Sequence, residues 1–370
     1  MKILHIFGEL KPSGGEAMML SAAPIWLPVS EMHILSTGDA IGVYADKLST
    51  AGYHIHHIPF RKRVSFFIEV ARLLRKEKFD IVHMHTERAS LWFALTSRLA
   101  LGYSPVLVRT VHHIFKFNGW LRIRKKAERF LMRSWLNVIL ISNSPSGKKN
   151  ELKRYGSNNM LIPNWYDSNI YIPPTDTQRI KFRNDLGFAE DTCIFVSLGG
   201  NWYYKNNGMI VEALALLPAD INVLYVQVGP QGEGAPLESA ARHLGVTERL
   251  RCMGVVDDPK MYLQAADVYM MPSSEEGFGV AAVEAMACGL PAILSDVEAL
   301  CDFREHIPGI EYINPTPQKI ANAMARLSRL SISNRRCIGA AIADATQKNY
   351  GLEHGATGYL QLYLGLNTQS

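Results

Sequence analysis

The feature that most constrains this chain is a pattern that occurs, stops and starts again. Short runs of β-branched and apolar residues, KILHIF (2–7), MHILS (32–36), YHIHHI (53–58), DIVHMH (80–85), PVLVRTV (105–111) and VILIS (138–142), alternate with longer segments of helical periodicity. Examples of the latter are SFFIEVARLLRKEKF (65–79) and ASLWFALTSRLAL (89–101). Parallel strands need a crossover between them, so this alternation predicts an α/β domain with a doubly wound parallel sheet. The polar segment SNIYIPPTDTQ (168–178) interrupts it as a linker. The alternation then resumes through TCIFVSLGG (192–200), VLYVQVG (223–229), LRCMGVV (250–256), DVYMMPS (267–273) and PAILSD (291–296).

Two Rossmann-like domains in series follow: residues 1–168, and residues 169–349. A length of 370 residues, beyond what one core usually serves, agrees with two. Such domains are expected to place an active cleft where strand carboxyl ends and helix N-termini face each other.

Composition narrows the class of function. No apolar stretch approaches the ~20 residues of a membrane-spanning helix, and the apolar run at the N-terminus is too short for a secretory signal. Five cysteines, at 193, 252, 288, 301 and 337, have wide spacings and no C-x-x-C pair, which argues against a disulfide framework or cysteine zinc site and fits a reducing cytoplasm. Residues 1–170 hold 24 Lys and Arg against 12 Asp and Glu, whereas the remainder holds 15 against 22. The basic half therefore expects a polyanionic neighbour. Two basic stretches interleaved with aromatics, 61–78 and 115–134, are of the kind that docks on an anionic membrane surface; the other reading is a solvated face whose apolar residues are core. No nucleic-acid-binding module accompanies the charge.

The segment PSSEEGFGVAAVEAMACGLP (272–291) leaves a strand, crosses a glycine-rich turn and enters a helix. Amides of Gly277, Phe278 and Gly279 at a helix N-terminus suit an anion. Glu276 and Glu284 offer carboxylates to sugar hydroxyls or a ribose diol. On spacing alone, a carboxylate favouring the helix dipole and a solvated face residue read equally well.

E-G-F-G-x-x-x-x-E-A-M-A-C-G-x-P resembles the E-x7-E motif of family 4 glycosyltransferases with the GT-B fold. The resemblance covers about three quarters of the chain and is firmest from 190 to 300. It implies that Glu276 contacts the donor sugar, that Gly277, Phe278 and Gly279 offer amides to the donor, and that Glu284 holds the ribose. Gly14 and Gly15 resemble the family's glycine loop toward the diphosphate. VRTVHHIF (108–115) resembles its T-x-H-D, placing His112 near the reacting sugar, with His113 where Asp is expected.

LGGNWYYKNN (198–207) resembles G-R-L-x-x-x-K-G, aligning Gly199 and Lys205 with the donor phosphates but Gly200 with an arginine. IPNWYDSNIY (162–171) resembles the family's linker, with Trp165 in place of Gly. VQVGPQGE (226–233), CMGVVDD (252–258) with Gly254 near the donor base, and AADVYMMPS (265–273) are further landmarks. The resemblance also implies that the segment 350–370 packs back onto the first domain.

The expected activity is retaining transfer of a hexosyl unit from a UDP-sugar, or a GDP-sugar, to a hydroxyl, with a lipid-linked or polysaccharide acceptor. His112, Lys205 and Glu276 are the expected catalytic residues. No metal or cofactor is expected: there is no D-x-D pair, and His56, His57, His83 and His85 read as strand-edge residues rather than ligands. The rivals are a sugar-nucleotide epimerase or hydrolase and an inactive nucleotide-binding subunit. The expected location is the cytoplasm, peripheral to the inner membrane face.

Overall fold

The computed structural model describes residues 1–232 and 236–367. Glu233 of the VQVGPQGE landmark and residues 368–370 of the expected C-terminal helix lie outside these. The chain divides into two compact units, one of residues 1–165 together with the C-terminal segment from Leu352, the other Tyr166–Gly351.

The strands of the first unit are β1 (Lys2–Phe7), β2 (Glu31–Ser36), β3 (His54–His57), β4 (Ile81–Met84), β5 (Val106–Val111), β6 (Val138–Ser142) and β7 (Met160–Leu161). They form one sheet in the order β3-β2-β1-β4-β5-β6-β7, all parallel. Alternation along β1 explains its two covered faces: Ile3 and Phe7 enter one core with Trp26 and Ile141, while Leu4 and Ile6 enter another with Phe66, Phe79 and Leu107. The first core is completed by the helix Leu352–Asn367, which contributes Leu352, Ala356, Tyr359 and Tyr363.

Trp165, aligned with a glycine of the family linker, does not adopt a positive φ. Its indole is buried and donates to Ser21 Oγ at 3.0 Å. It lies so close to Gly355 that a Cβ there would stand 2.2 Å from the ring.

The second unit carries β8 (Cys193–Leu198), β9 (Val223–Val228), β10 (Leu250–Cys252), β11 (Val268–Met271), β12 (Ala292–Ser295) and β13 (Glu311–Ile313). Their order is β10-β9-β8-β11-β12-β13, again all parallel. Ile194 and Val196 face one core and Cys193 and Phe195 the other. Both units are Rossmann-like, as the alternation predicts. In each, strand order reverses beside the first strand, between β1 and β4 and between β8 and β11, and crevices for ligands open at the carboxyl ends of strands at such switch points.

The alternation missed β13 and the helices Pro317–Arg329 and Ile332–Tyr350. The segment read as a linker to 178 is helical from Asp176, where Thr175 and Gln178 form a reciprocal capping box.

Candidate functional site

In the second unit the candidate residues gather at the carboxyl ends of β8 and β11. Beyond β11 the chain passes buried Ser273 and reaches Glu276, whose Oε1 accepts from Ser273 Oγ at 2.8 Å and from Lys205 Nζ at 2.5 Å. The two residues expected to act on the donor are therefore an ion pair, with side chains only 18% and 11% exposed. Lys205 ends the 3₁₀ turn Tyr203–Lys205 that precedes the helix Asn207–Leu216. Three further bonds join that turn and its cap Asn206 to the loop after β11: Asn206 Nδ2 donates to Pro272 O at 2.8 Å, and Ser274 N and Oγ donate to Tyr204 O at 2.7 Å and 3.2 Å. A lysine held this way presents a cation without the entropy cost of ordering a free side chain.

After Glu276 the chain is buried through Gly277, Phe278 and Gly279 and enters the helix Val280–Ala287. Gly279 sits at φ 93°, and a Cβ there would approach Leu300 Cδ2 to 2.7 Å, so conformation and space both require glycine. The Phe278 ring packs edge-on against Phe303 and Tyr350. Its side chain belongs to the core, and only its backbone is available to a ligand. Glu284 is the fifth residue of the helix and only 9% exposed, which removes the solvated-face reading. Burial pushes its carboxyl up to about 8, opposed by a hydrogen bond from Tyr171. Tyr269 lies near enough to both Glu276 and Glu284 for their charges to add to the burial that raises its phenol.

Gly199 and Gly254 join with Gly229 along the ends of β8, β9 and β10. Gly199 has φ 127°, Gly229 φ 135° and Gly254 φ 66°; Gly199 N donates to Val228 O, and Gly229 N to Gly254 O, each at 2.8 Å. A Cβ on Gly229 would stand 2.4 Å from Gly199 O. Gly200, aligned with an arginine, is explained by its neighbour: a Cβ there would lie 2.6 Å from Trp202 Nε1 and 2.9 Å from Trp202 Cε2. The indole occupies the space that a side chain at 200 would need.

In the first unit, Gly14 and Gly15 open the helix Gly14–Trp26 behind the cap Ser13, whose Oγ accepts from Gly15 N at 3.3 Å. They belong to a helical first turn rather than an open loop. His112 follows β5, its Nε2 2.9 Å from His85 Nδ1 and its carbonyl accepting from Asn143 Nδ2 at 3.2 Å. Burial lowers its imidazole to about 4, and the neighbouring His113 and Arg109 act in the same direction.

The strand-edge reading of His83 and His85 fails, because β4 lies between β1 and β5 in the sheet interior and His83 is fully buried there. His56 and His57 do lie on the edge strand β3, and His56 Nε2 is 2.8 Å from His33 Nδ1. One nitrogen each from His5, His83 and His85, and a group of Glu31, His33 and His54, come within metal-ligating reach of one another.

The basic stretches differ from each other. In 61–78 the apolar residues Phe66, Val70 and Leu74 are core. In the helix Gly119–Ser134 the buried residues are Lys125, Arg129 and Met132, while Trp120, Ile123 and Phe130 are exposed by 75%, 59% and 62%. Arg129 Nε reaches Glu151 at 2.5 Å, and Lys125 Nζ reaches Glu87 at 3.1 Å and Glu128 at 2.8 Å. The core reading of the aromatics is wrong for this helix, because its inward face is charged and paired.

Tyr171, Ser273, Gly229, Trp202 and His85 have no role legible in the sequence. Only the H-x-H of DIVHMH offers a signal: Tyr171 and Gly229 acquire their places through contacts with segments distant in the chain, and Ser273 and Trp202 through the paths of their loops.

Two family models match the chain, Glycosyltransferase Family 4 over residues 31–169 and Glycosyl transferases group 1 over residues 178–344. The UDP-Gal:alpha-D-GlcNAc-diphosphoundecaprenol alpha-1,3-galactosyltransferase of Escherichia coli is 27% identical over 309 residues, 75% of this chain and 77% of its own. The capsular polysaccharide biosynthesis glycosyltransferase CapH of Staphylococcus aureus is 22% identical over 298 residues, 77% of this chain and 78% of its own. Among solved structures, Anabaena HepE in complex with UDP and glucose superposes with a TM-score of 0.84 at 19% identity, covering 98% of this chain and 99% of that one. With the two models matched in series, the two Rossmann-like units and these relatives, the chain belongs to the family 4 glycosyltransferases of GT-B fold.

Proposed function

We propose that this glycosyltransferase moves a hexosyl unit, with retention, from a UDP-sugar to a hydroxyl of a lipid-linked or polysaccharide acceptor. The observation that carries the donor half is the Lys205–Glu276 pair at the mouth of the glycine turn, with Glu284 buried on the helix that follows. Lys205 stabilises charge on the departing diphosphate, the turn amides assist, Glu276 orients the sugar and Glu284 accepts the ribose hydroxyls. His112 contacts the reacting sugar. The leaving phosphate oxygen takes the acceptor's proton, so neither a protein nucleophile nor a metal is called for. UDP is favoured over GDP by the UDP-linked donor of the Escherichia coli relative and the UDP bound to HepE.

A lipid-linked acceptor is supported by the helix Gly119–Ser134. Trp120, Ile123 and Phe130 share one face, Arg124 flanks it on one side and Lys126 and Arg133 on the other, all exposed. Apolar side chains between cations are what an interfacial helix presents to an anionic membrane, so the protein acts peripherally at such a surface on the cytoplasmic side. Among the described residues no helix is long and apolar enough to cross a membrane.

The test is thermal unfolding with UDP, GDP, TDP and CMP species, for the wild type and Glu284→Ala. A ligand of the native state raises apparent stability. A shift with UDP that Glu284→Ala loses is expected. A shift with GDP alone would move the donor assignment, and no shift with any nucleotide would overturn the donor site. Donor turnover without an acceptor would favour a hydrolase or epimerase.

A further inference from the structure

Three imidazoles stand in a hydrogen-bonded row at the carboxyl end of the switch point of the first sheet. His5 lies on β1, His85 directly follows β4 and His112 directly follows β5. His5 Nδ1 is 3.0 Å from His85 Nε2, and His85 Nδ1 is 2.9 Å from His112 Nε2. A neutral imidazole carries one N–H, and each contact between two nitrogens needs one proton. The row therefore has only two neutral arrangements, with every proton directed toward His112 or every proton directed away from it.

The buried end chooses between them. His5 is fully buried, its ring stacks on Trp26 with centroids 5.7 Å apart, and its Nε2 has no hydrogen-bond partner among the described residues. An orphaned buried N–H is rarer and costlier than an under-used acceptor. His5 therefore leaves Nε2 bare and carries its proton on Nδ1, which donates to His85. His85 must then carry its own proton on Nδ1, which donates to His112 Nε2. The nitrogen of His112 that remains protonated is Nδ1. Burial lowers His5 to about 3, His112 to about 4 and His85 well below the ordinary imidazole range, so the row stays neutral near pH 7.

We propose that His5 and His85 are positioning residues forming a directional relay that delivers His112 as the neutral Nδ1–H tautomer, able to meet a ligand oxygen as a hydrogen-bond donor and unable to act as a base through Nε2. The role toward a sugar rests on the reading of His112 under Proposed function; the tautomer does not. His83 is closed off from the row, with Nδ1 2.6 Å from Tyr363 Oη and Nε2 2.8 Å from Thr110 Oγ1. A metal held by His5, His83 and His85 would have to break one of those bonds and one of the two that His85 makes within the row.

The experiment is long-range proton–nitrogen NMR of the full chain labelled with nitrogen-15 histidine, near neutral pH, with acceptor-dependent consumption of UDP-galactose, a GlcNAc-diphospholipid serving as the probe acceptor, measured on the same preparations. The wild type is expected to show His112 protonated at Nδ1 and bare at Nε2. His85→Asn, whose carboxamide N–H replaces the Nδ1–H of the imidazole, keeps that tautomer and recovers most of the rate. His85→Leu frees Nε2, brings His112 to a mixture of tautomers, and lowers kcat about tenfold with KM little changed. A His112 proton on Nε2 in the wild type, an unchanged tautomer in His85→Leu, or one zinc bound per chain with loss of the His5–His85 proton would overturn the relay. The expected tautomers with turnover indifferent to His85 would leave the relay standing and overturn the role of His112 toward the sugar.

Discussion

At Glu284, burial holds a proton on the carboxyl up to about pH 8, whereas an unfolded chain releases it near 4.3. Between those values the folded state binds more protons than the unfolded one, so stability falls as pH rises through the window and levels off above it. At about 1.4 kcal/mol for each pH unit between the two values, the ionised carboxylate costs the fold a few kcal/mol. Glu284→Gln is therefore expected to flatten this slope and raise the midpoint of unfolding at pH 8 and above, while shrinking the stabilisation by UDP. Calorimetry at pH 6 and pH 8.5, with and without UDP, checks both. A variant no more stable than wild type at pH 8.5 would mean that the carboxyl is not strained by burial. The buried imidazoles work in the opposite direction: His5 and His112 are neutral in the fold and charged in the unfolded chain below about 6.5, so their contribution is lost as pH falls. Little of this was legible in the sequence. E-x7-E singles out the two glutamates, but whether Glu284 keeps its proton depends on its burial and on Tyr171, which lies more than a hundred residues earlier in the chain.

The helix Gly119–Ser134 inverts the usual pattern, with ion pairs inward and aromatics outward. Its spacing of basic and aromatic residues was visible in the sequence, but which face is buried was not, because that depends on Glu87 and Glu151 from other segments. Trp120→Ser with Phe130→Ser is expected to weaken binding to phosphatidylglycerol vesicles tenfold or more, since each ring removed from the lipid forfeits about 1.5–3 kcal/mol. The unfolding midpoint should change little, because neither ring is packed in the fold. Co-sedimentation and a melting curve measure the two effects, and retained vesicle binding would overturn the proposal that this helix contacts a membrane. Arg129→Ala should behave in the reverse sense. It leaves Glu151, itself only 1% exposed, buried without its partner, at a cost of about 3–5 kcal/mol in the first unit by calorimetry.

At the scale of the whole molecule, each unit has its own sheet and cores, and the first is completed only by the end of the chain. Trp26 Nε1 donates to Ala356 O at 2.8 Å, and Tyr363 and Tyr359 meet His83 and Thr110. A chain ending at Gly351 is expected to lose the cooperative unfolding transition of the first unit and keep that of the second, resolved by calorimetry and by tryptophan fluorescence from Trp26 and Trp165. Survival of both transitions would show that the C-terminal helix is dispensable to that core. The sequence by itself determined the two α/β units, the all-parallel sheets and the glycine turn with its flanking glutamates, because periodicity and motif spacing are local properties of the chain. Gly200 was conspicuous there as a missing cation, but its cause, the Trp202 indole folded over it, belongs to the fold. Tertiary structure alone decided that Lys205 and Glu276 are an ion pair, that Glu284 is a buried acid, and that His5, His85 and His112 stand in one hydrogen-bonded row. The physical reason is that hydrogen bonding and desolvation act over a few ångströms between groups that are 71 residues apart in the case of Lys205 and Glu276 and 80 in the case of His5 and His85.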